Sequence, residues 1–560
     1  MRAVPPATAV AFLLMAVPMA HAQRWRDDTA VTIGTTAEWT NKVELADVDG
    51  DGWLDILLAN GRGYSTPGAA EASRVFRNRA AWTAAPPYFE EITAQVFGAA
   101  TGHARVIKAR DVDGDGDLDV FVGNTYGDAS RLYRRDSGGW TDVSATALPV
   151  AVPRVGDADF GDVDGDGDLD LALADWGAAA LTVGAPPRLY LNDGAGGFTD
   201  ATATAIPAIA VRWSWELDFV DVDDDLDLDL LIASKLGTGS FLLRNDGAGH
   251  FTDDSTAALP QFANNYETEV MDLDGDGDLD LATINDGAGG RDHLFRNDGG
   301  RFVDVTATHL AGGANPPEDD NMVAFVDVDD DGDADLVVGS LSGPDRLLAN
   351  DGSGVMTLVA GALPGASPGT LGIAVGDLDG DRRPDVVDGQ GEVAFPDLVY
   401  RATDQIAADT RPPHLGAVAQ LGRGDRTVRV RVHDRKSPTG GLDLVAVVLR
   451  YRGDASGEAP MTWYGEFLWR GDLPAPGAYT YQVCATDAAG NQACSVELAT
   501  GGGDAGPGDD GGEPGPGGGG GCCGTAAADP SASAVAVAFV IAALLPRRRR
   551  WRAARRGDRG

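Results

Sequence analysis

The sequence predicts an all-β protein: a seven-bladed β-propeller followed by a small β-sandwich. Three observations predict it. A nine-residue aspartate pattern recurs seven times, apolar strand-like runs follow its copies, and a stretch with different, alternating patterning begins at about residue 412.

Composition sets the frame. The 560 residues carry 44 Lys+Arg against 86 Asp+Glu, a formal charge of −42. So acidic a chain repels nucleic-acid phosphates and favours cations as partners. A generic acidic surface would not space its aspartates so regularly. Residues 1–22 read as a secretory signal peptide: Arg2 is the positive end, Ala7 to Pro18 the apolar run, and Ala20-His21-Ala22 a small-residue cleavage site. That run is too short to span a bilayer comfortably, so cleavage is expected. Export would place the chain where calcium is abundant and disulfides persist.

Residues 23–411 hold the repeats. The pattern D-x-D-x-D-x-x-x-D begins at Asp47, Asp111, Asp162, Asp221, Asp272, Asp327 and Asp377, at intervals of 64, 51, 59, 51, 55 and 50 residues. Calcium takes six to eight oxygens at roughly 2.3–2.6 Å, and a tight loop presents alternate side chains to one centre. Positions 1, 3, 5 and 9 offer carboxylates and position 7 a backbone carbonyl. The expected ligands are therefore Asp47, Asp49, Asp51 and Asp55 in the first loop, and Asp111, Asp113, Asp115 and Asp119 in the second. The third has Asp162, Asp164, Asp166 and Asp170, and the fourth Asp221, Asp223, Asp225 and Asp229. Asp272, Asp274, Asp276 and Asp280 form the fifth, and Asp327, Asp329, Asp331 and Asp335 the sixth. The seventh has Asp377, Asp379, Asp381 and Asp385. Glycine at position 6 eases the turn, but Leu226 and Arg382 replace it in the fourth and seventh loops, where weaker binding is expected. Acidic turns without metal are the plainer alternative. An EF-hand is a closer rival, yet no loop has Glu at position 12, and runs such as Leu169 to Leu173 read as strand.

Each repeat continues alike. The loop leads into an apolar strand, then a variable stretch, a strand such as Arg188 to Leu191, and an Asn192-Asp193-Gly194 hairpin turn. A last strand opens at Phe89, Trp140, Phe198, Phe251 or Phe302 with the pattern aromatic-x-Asp/Glu-x-Thr/Ser. With the strand before the loop, every repeat supplies four antiparallel strands, which is one blade. The last-strand pattern weakens at Met356 but recurs at Trp25 to Thr29, 22 residues before Asp47. The N-terminal strand is therefore expected to complete the seventh blade.

Segments such as Phe160-Gly161-Asp162-Val163-Asp164-Gly165-Asp166 resemble the FG-GAP/VCBS-like repeat family, which includes the integrin α-type propeller. The resemblance covers about residues 24–405. It implies Ca2+ in loops on one face and partner binding mainly on the other.

Residues 412–500 alternate as strands, most clearly over Thr427 to Val432 and Leu444 to Leu449. The closing segment from Ala478 to Asn491 resembles bacterial immunoglobulin-like and fibronectin type III-like modules, so one small sandwich is expected, acting as a spacer or stalk. Cys484 and Cys494 flank a hairpin and are expected to form a disulfide in an exported protein. Residues 501–521 are a Gly-rich linker. In 522–560 stand Cys522-Cys523, an apolar run from Ala532 to Leu545 and Arg547 to Arg550, which together resemble a MYXO-CTERM sorting tail. That likeness implies processing near the cysteine pair; a plain membrane anchor is the alternative.

No catalytic constellation emerges, and no enzyme activity is expected. None of the seven histidines sits in an HExxH pattern or beside a cysteine. Gly365 to Gly369 formally matches G-x-S-x-G, but it lies between two blades with no helix signal after it. Four Arg-Gly-Asp tripeptides, starting at Arg423, Arg452, Arg470 and Arg556, fit chance in a chain this rich in those residues. The connections opposite the loops contain Tyr64, Tyr126, Trp176, Trp213, Trp215 and Tyr266. Exposed, these would suit sugars or protein hot spots; packed between blades, they would only build the ring. The expected function is a calcium-stabilised surface or secreted binding protein that recognises a protein or glycan through the face opposite the loops. An extracellular polysaccharide-degrading enzyme and a purely structural envelope protein are the alternatives.

Overall fold

The computed structural model describes residues 23–500, apart from 178–182, 238, 286–289, 366, 393–394, 421–425 and 440–442. The expected signal peptide, Gly-rich linker and sorting tail, with Cys522 and Cys523, lie outside the described residues.

The fold is all-β, and the sheets have the form of propeller blades. Seven antiparallel sheets take the aspartate repeats in order. In the first, Thr40–Ala46, Asp55–Asn60, Arg74–Asn78 and Phe89–Glu91 lie side by side in chain order, and the next five sheets repeat this arrangement. The seventh has Thr370–Gly376, Asp385–Gln390 and Leu398–Ala402, and its fourth strand is Trp25–Asp27 from the far end of the chain. Trp25 faces Ala402 and Asp27 faces Tyr400. The first strand of each sheet packs on the first strand of the next, and Thr370–Gly376 packs on Thr40–Ala46, so the inner strands close a ring around a channel.

The last-strand pattern has a structural reason. The backbone N–H of Thr202 donates to the Asp200 carboxylate, while the Thr202 hydroxyl accepts the N–H of Leu189 on the third strand. Ser255 and Thr306 do the same in the fourth and fifth sheets. Thr29 makes the equivalent pair of bonds with Asp27 and with the Val399 N–H. The borrowed strand thus reproduces the local bonding of the second to fifth sheets. One feature escaped the sequence reading: a four-residue helical turn follows the last strand in the first five sheets, as at Thr93–Val96 and Ser255–Ala258.

The C-terminal part has two sheets. His414–Gln420, Thr427–His433, Leu468–Asp472 and Thr462–Gly465 form one; Gly457–Pro460, Leu444–Gly453, Tyr479–Asp487 and Gln492–Cys494 form the other. Val428, Val430, Val447, Leu449, Tyr481 and Val483 share one core. Cys484 and Cys494 face each other across the hairpin and are disulfide-bonded, as expected.

This part is not a free stalk. Ring and sandwich belong to one compact unit. Lys436–Ser437 adds a fifth strand to the sixth sheet, opposite Phe325 and Val326. The reason is electrostatic complementarity: arginines of the sandwich meet the acidic loops of the ring.

Candidate metal centres

The loops join first to second strands, as predicted, and all open on the face that carries the sandwich. Position 6 has positive φ in every loop: +88° at Gly52, +90° at Gly116, +116° at Gly167, +101° at Gly277 and +103° at Gly332. Leu226 and Arg382 adopt the same left-handed conformation, at +64° and +66°, against the preference of residues with a Cβ. Leu226 is tolerated because its side chain packs in a core cluster that includes Tyr464 of the sandwich. Arg382 is exposed and has no such compensation.

The structure divides the labour among the four aspartates. The position 1 carboxylate ties the turn: Asp47 accepts the N–H groups of Asp51 and Gly52 at 2.9 and 2.7 Å. The position 9 carboxylate ties the loop to its sheet. Asp55 accepts from the N–H of Val48 at 3.0 Å and of Asn78 at 2.7 Å, and Asp280, Asp335 and Asp385 repeat both bonds. That second role was invisible in the spacing, because the partner Asn lies about 20 residues downstream.

Carboxylates converge as the spacing requires. Oxygens of Asp47, Asp49 and Asp55 lie within 4.8 Å of one another, as do those of Asp111, Asp113 and Asp115, and of Asp162, Asp164 and Asp170. Asp221, Asp223 and Asp225, and Asp272, Asp274 and Asp276, form two further groups. Oxygen-only donors at this spacing suit a hard cation such as calcium. A second observation supports the fit: Asp49 Oδ1, Asp113 Oδ1, Asp221 Oδ1 and Asp274 Oδ1 are buried without a hydrogen-bond partner. Burial pushes the position 9 carboxyls up, to about 8 in Asp55, Asp170 and Asp229 and about 7 in Asp119, Asp280 and Asp335, and neighbouring loop carboxylates add to the rise. A bound dication would relieve both penalties.

The fourth loop differs from the rest. Arg431 of the sandwich pairs with Asp221 at 2.8 Å and also with Asp224, both ends of the Asp221 pair being almost fully buried. Arg429 pairs with Asp227, and Arg244 with Asp223 and Asp229 at 3.2 and 2.9 Å. In the third loop Arg470 pairs with Asp162. Arg431 binds the Asp221 oxygen that also accepts the Leu226 N–H, while Oδ1 stays buried without a hydrogen-bond partner among the described residues. Between ring and sandwich lie two cavities of about 300 and 410 Å³, the first walled by Trp463 and Trp469 and the second by Trp53 and Arg383.

The aromatic residues expected on the opposite face are largely not exposed. Trp176, Trp213, Trp215 and Tyr266 are buried, and with the partly buried Tyr64 and Tyr126 they pack against one another, not between blades. Trp176 stacks on Trp215 with centroids 4.7 Å apart, and its indole N–H donates to Ser214 O. Gly156 permits this approach, since a Cβ there would lie 2.3 Å from Trp176 Nε1. Ser367 of the G-x-S-x-G match is buried, and strand Thr370–Gly376, not a helix, follows it.

Comparison with known proteins bears on these loops. A family model for the FG-GAP-like repeat matches residues 111–173, 221–283, 272–338 and 327–387. Those stretches contain six of the seven loops, all but the one at Asp47. The chain carries FG-GAP-like repeats. No curated protein matches it. Among solved structures, a lectin from Agrocybe aegerita, described as recognising non-reducing terminal N-acetylglucosamine, is 17% identical; the match covers 65% of this chain and 94% of that one, with a TM-score of 0.38. A protein named as a 6-phosphogluconolactonase from Bacteroides uniformis is 12% identical over 60% of this chain and 90% of that one, with a TM-score of 0.38. The extracellular domain of a one-component system from B. thetaiotaomicron is 11% identical over 82% and 67%, with a TM-score of 0.28. The FG-GAP-like repeats rest on the loop motif and the sheet order, not on these distant likenesses.

Proposed function

We propose that this is a calcium-stabilised, non-enzymatic binding protein of the cell surface or extracellular space. The ring is read as a seven-bladed β-propeller and the C-terminal part as an immunoglobulin-like sandwich. Ca2+ occupies the aspartate loops and fixes their shape. The partner, a protein or a glycan, binds the face opposite the loops. A signal peptide and a C-terminal sorting or anchoring tail belong to the same reading, with the tail contacting the membrane before or without processing. Among the described residues no helix is long and apolar enough to cross a membrane.

The observation that carries the choice of face is the sandwich itself. Arg429, Arg431, Arg435 and Arg470 reach the third, fourth and sixth loops, so the loop face is occupied within the chain. Around the third sheet, the connections on the opposite side expose Val150 at 97%, Val152 at 47% and Val183 at 65%. Exposed apolar side chains so placed suit a partner surface.

A binding screen of residues 23–500 on glycan and protein arrays, with calcium and with chelator, tests the proposal. A ligand lost on Val150→Asp supports it. Hydrolysis of polysaccharides at enzyme-like rates would replace it with the enzyme reading, and no ligand at all with the structural one.

A further inference from the structure

The channel inside the ring is lined by charged residues that do not balance. Three positions before each loop, the inner strands place Glu44, Lys108, Asp159, Asp218 and Glu269 at equivalent register, with alanines in the sixth and seventh sheets. Five positions before the loop stand Lys42, Asp157, Glu216 and Glu267. Arg110 adds a third cation. Seven carboxylates therefore face three cations in the middle of the protein, and Glu466 of the sandwich adds an eighth acid near Lys108 and Arg110.

The cations are already engaged. Lys42 contacts Glu216 and lies 4.0 Å from Glu267, Lys108 lies 3.8 Å from Asp159, and Arg110 pairs with Glu44 at 2.6 Å. Among the described residues no cation lies within 4.0 Å of Asp157 or Asp218, although Lys42 acts on the first and Lys108 on the second from farther away. Asp157 is 1% exposed, and its Oδ2 accepts the N–H of Leu217 at 3.3 Å, which places it beside Glu216 and Asp218 on the neighbouring strand. Its Oδ1 has no donor among the described residues, and its carboxylate lies against that of Glu216, an arrangement that needs a shared proton or a cation. Among the described residues Asp218 keeps only a long contact, 3.5 Å, from the Thr268 hydroxyl. Asp218, Lys42 and Lys108 each retain some accessible surface although they sit inside the ring, so the channel has room at this level.

We propose that the channel holds a hard divalent cation, separate from the seven loops, liganded by Asp157 Oδ1, Asp218 and the Glu216 oxygen not taken by Lys42. Buried carboxylates in excess must be neutralised by a proton or a cation. An all-oxygen donor set selects a hard ion. Burial pushes both the Glu216 and Asp218 carboxyls well up, helped by Asp157 and Asp218 at Glu216 and by Glu269, Asp159 and Asp157 at Asp218, a penalty a dication removes. The aromatic cluster of Trp176, Trp213, Trp215 and Tyr266 closes one end, and the sandwich, through Ser437 and Glu466, covers the other. An ion held there should exchange far more slowly than one in the solvent-facing loops.

The test is metal analysis of residues 23–500 after calcium loading and dialysis against chelator. The expected result is about one retained equivalent, lost in Asp157→Asn/Asp218→Asn, whose melting temperature still rises when calcium refills the loops. Retention of none by the unaltered protein would show that protons neutralise the channel and would overturn the proposal, as would equal retention by the variant. If the double variant does not fold, crystals of the unaltered protein loaded with Tb3+ decide: an anomalous peak between Asp157 and Asp218 supports the site, and peaks in the loops alone overturn it.

Discussion

The side-chain amide of Asn78 donates to the carbonyl of Leu378, 300 residues away, at 2.8 Å. It also donates to Leu54 O in its own loop, so one side chain joins the first loop to the seventh. Asn192, Asn245, Asn297 and Asn350 make the same two bonds to their own and the preceding loop. The second sheet uses Arg135 instead, reaching Asp49 O. In the seventh the task is split between the Trp25 indole N–H, on Pro384 O, and the Ala407 N–H, on Val328 O. A belt of hydrogen bonds thus runs from loop to loop around the ring.

Replacing Asn78 by Ala would leave two buried carbonyls without donors. At about 1–3 kcal/mol per unsatisfied buried group, the variant should lose roughly 2–6 kcal/mol. Denaturant unfolding checks this, and the loss should exceed that for an exposed Asn→Ala change.

Trp25 is fully buried in the seventh sheet. Trp25→Ala should cost about 3–5 kcal/mol and open the ring at its seam. Faster proteolysis near residues 23–30 and 398–402 is the expected signature. Unchanged protection would mean that the borrowed strand does not hold the ring.

In calcium-free protein Arg431→Ala would leave Asp221 charged and unpaired in a nearly dry site, at a cost of about 3–5 kcal/mol. The effect should fall on the docking of the sandwich, seen as an expanded envelope in small-angle scattering while the far-ultraviolet spectrum stays the same. Arg452→Ala, at an exposed pair with Glu497, should be near neutral.

The two loops without a turn glycine should respond with opposite sign. Arg382→Gly relieves a left-handed residue whose side chain is exposed, and should stabilise by about 1 kcal/mol. Leu226→Gly relieves the same strain but removes a buried side chain, and should destabilise by about 2 kcal/mol. Paired thermal melts in calcium compare them.

The loops also predict a pH dependence. Asp55, Asp170 and Asp229 titrate near 8 in the fold, and Asp119, Asp280 and Asp335 near 7. Unfolded, they would titrate near ~4. A raised carboxyl holds its proton more tightly when folded, so its contribution is complete below ~4 and is lost as pH rises through 7 to 8. Chelated protein should therefore melt lower at pH 8 than at pH 6. Calcium needs the ionised form, so the rise in melting temperature on adding it should be larger at pH 8. Equal calcium shifts at both pH values would break this link.

Much of this was legible because the repeat is local. Aspartates at positions 1, 3, 5 and 9 meet within one tight loop whatever lies around them, and a glycine at position 6 reports the left-handed turn it must make. The belt asparagines were visible as hairpin signals, but their bonds to a neighbouring loop were not. The aromatic residues left exposure and packing both open in the sequence; Trp213, Trp215 and Tyr266 prove to lie in the inner strands, which bring them together with Trp176.

The loops, the four-strand repeat and the closing role of Trp25 could be read along the chain, because each is written in side chains close together or recurring at a fixed offset. What covers the loops and which charges line the channel came from the three-dimensional fold alone. Arg431 and Asp221 are 210 residues apart, and the channel charges come in pairs from the first five sheets. Their meeting depends on how strands from separate repeats face a common axis, and no spacing along the chain encodes that.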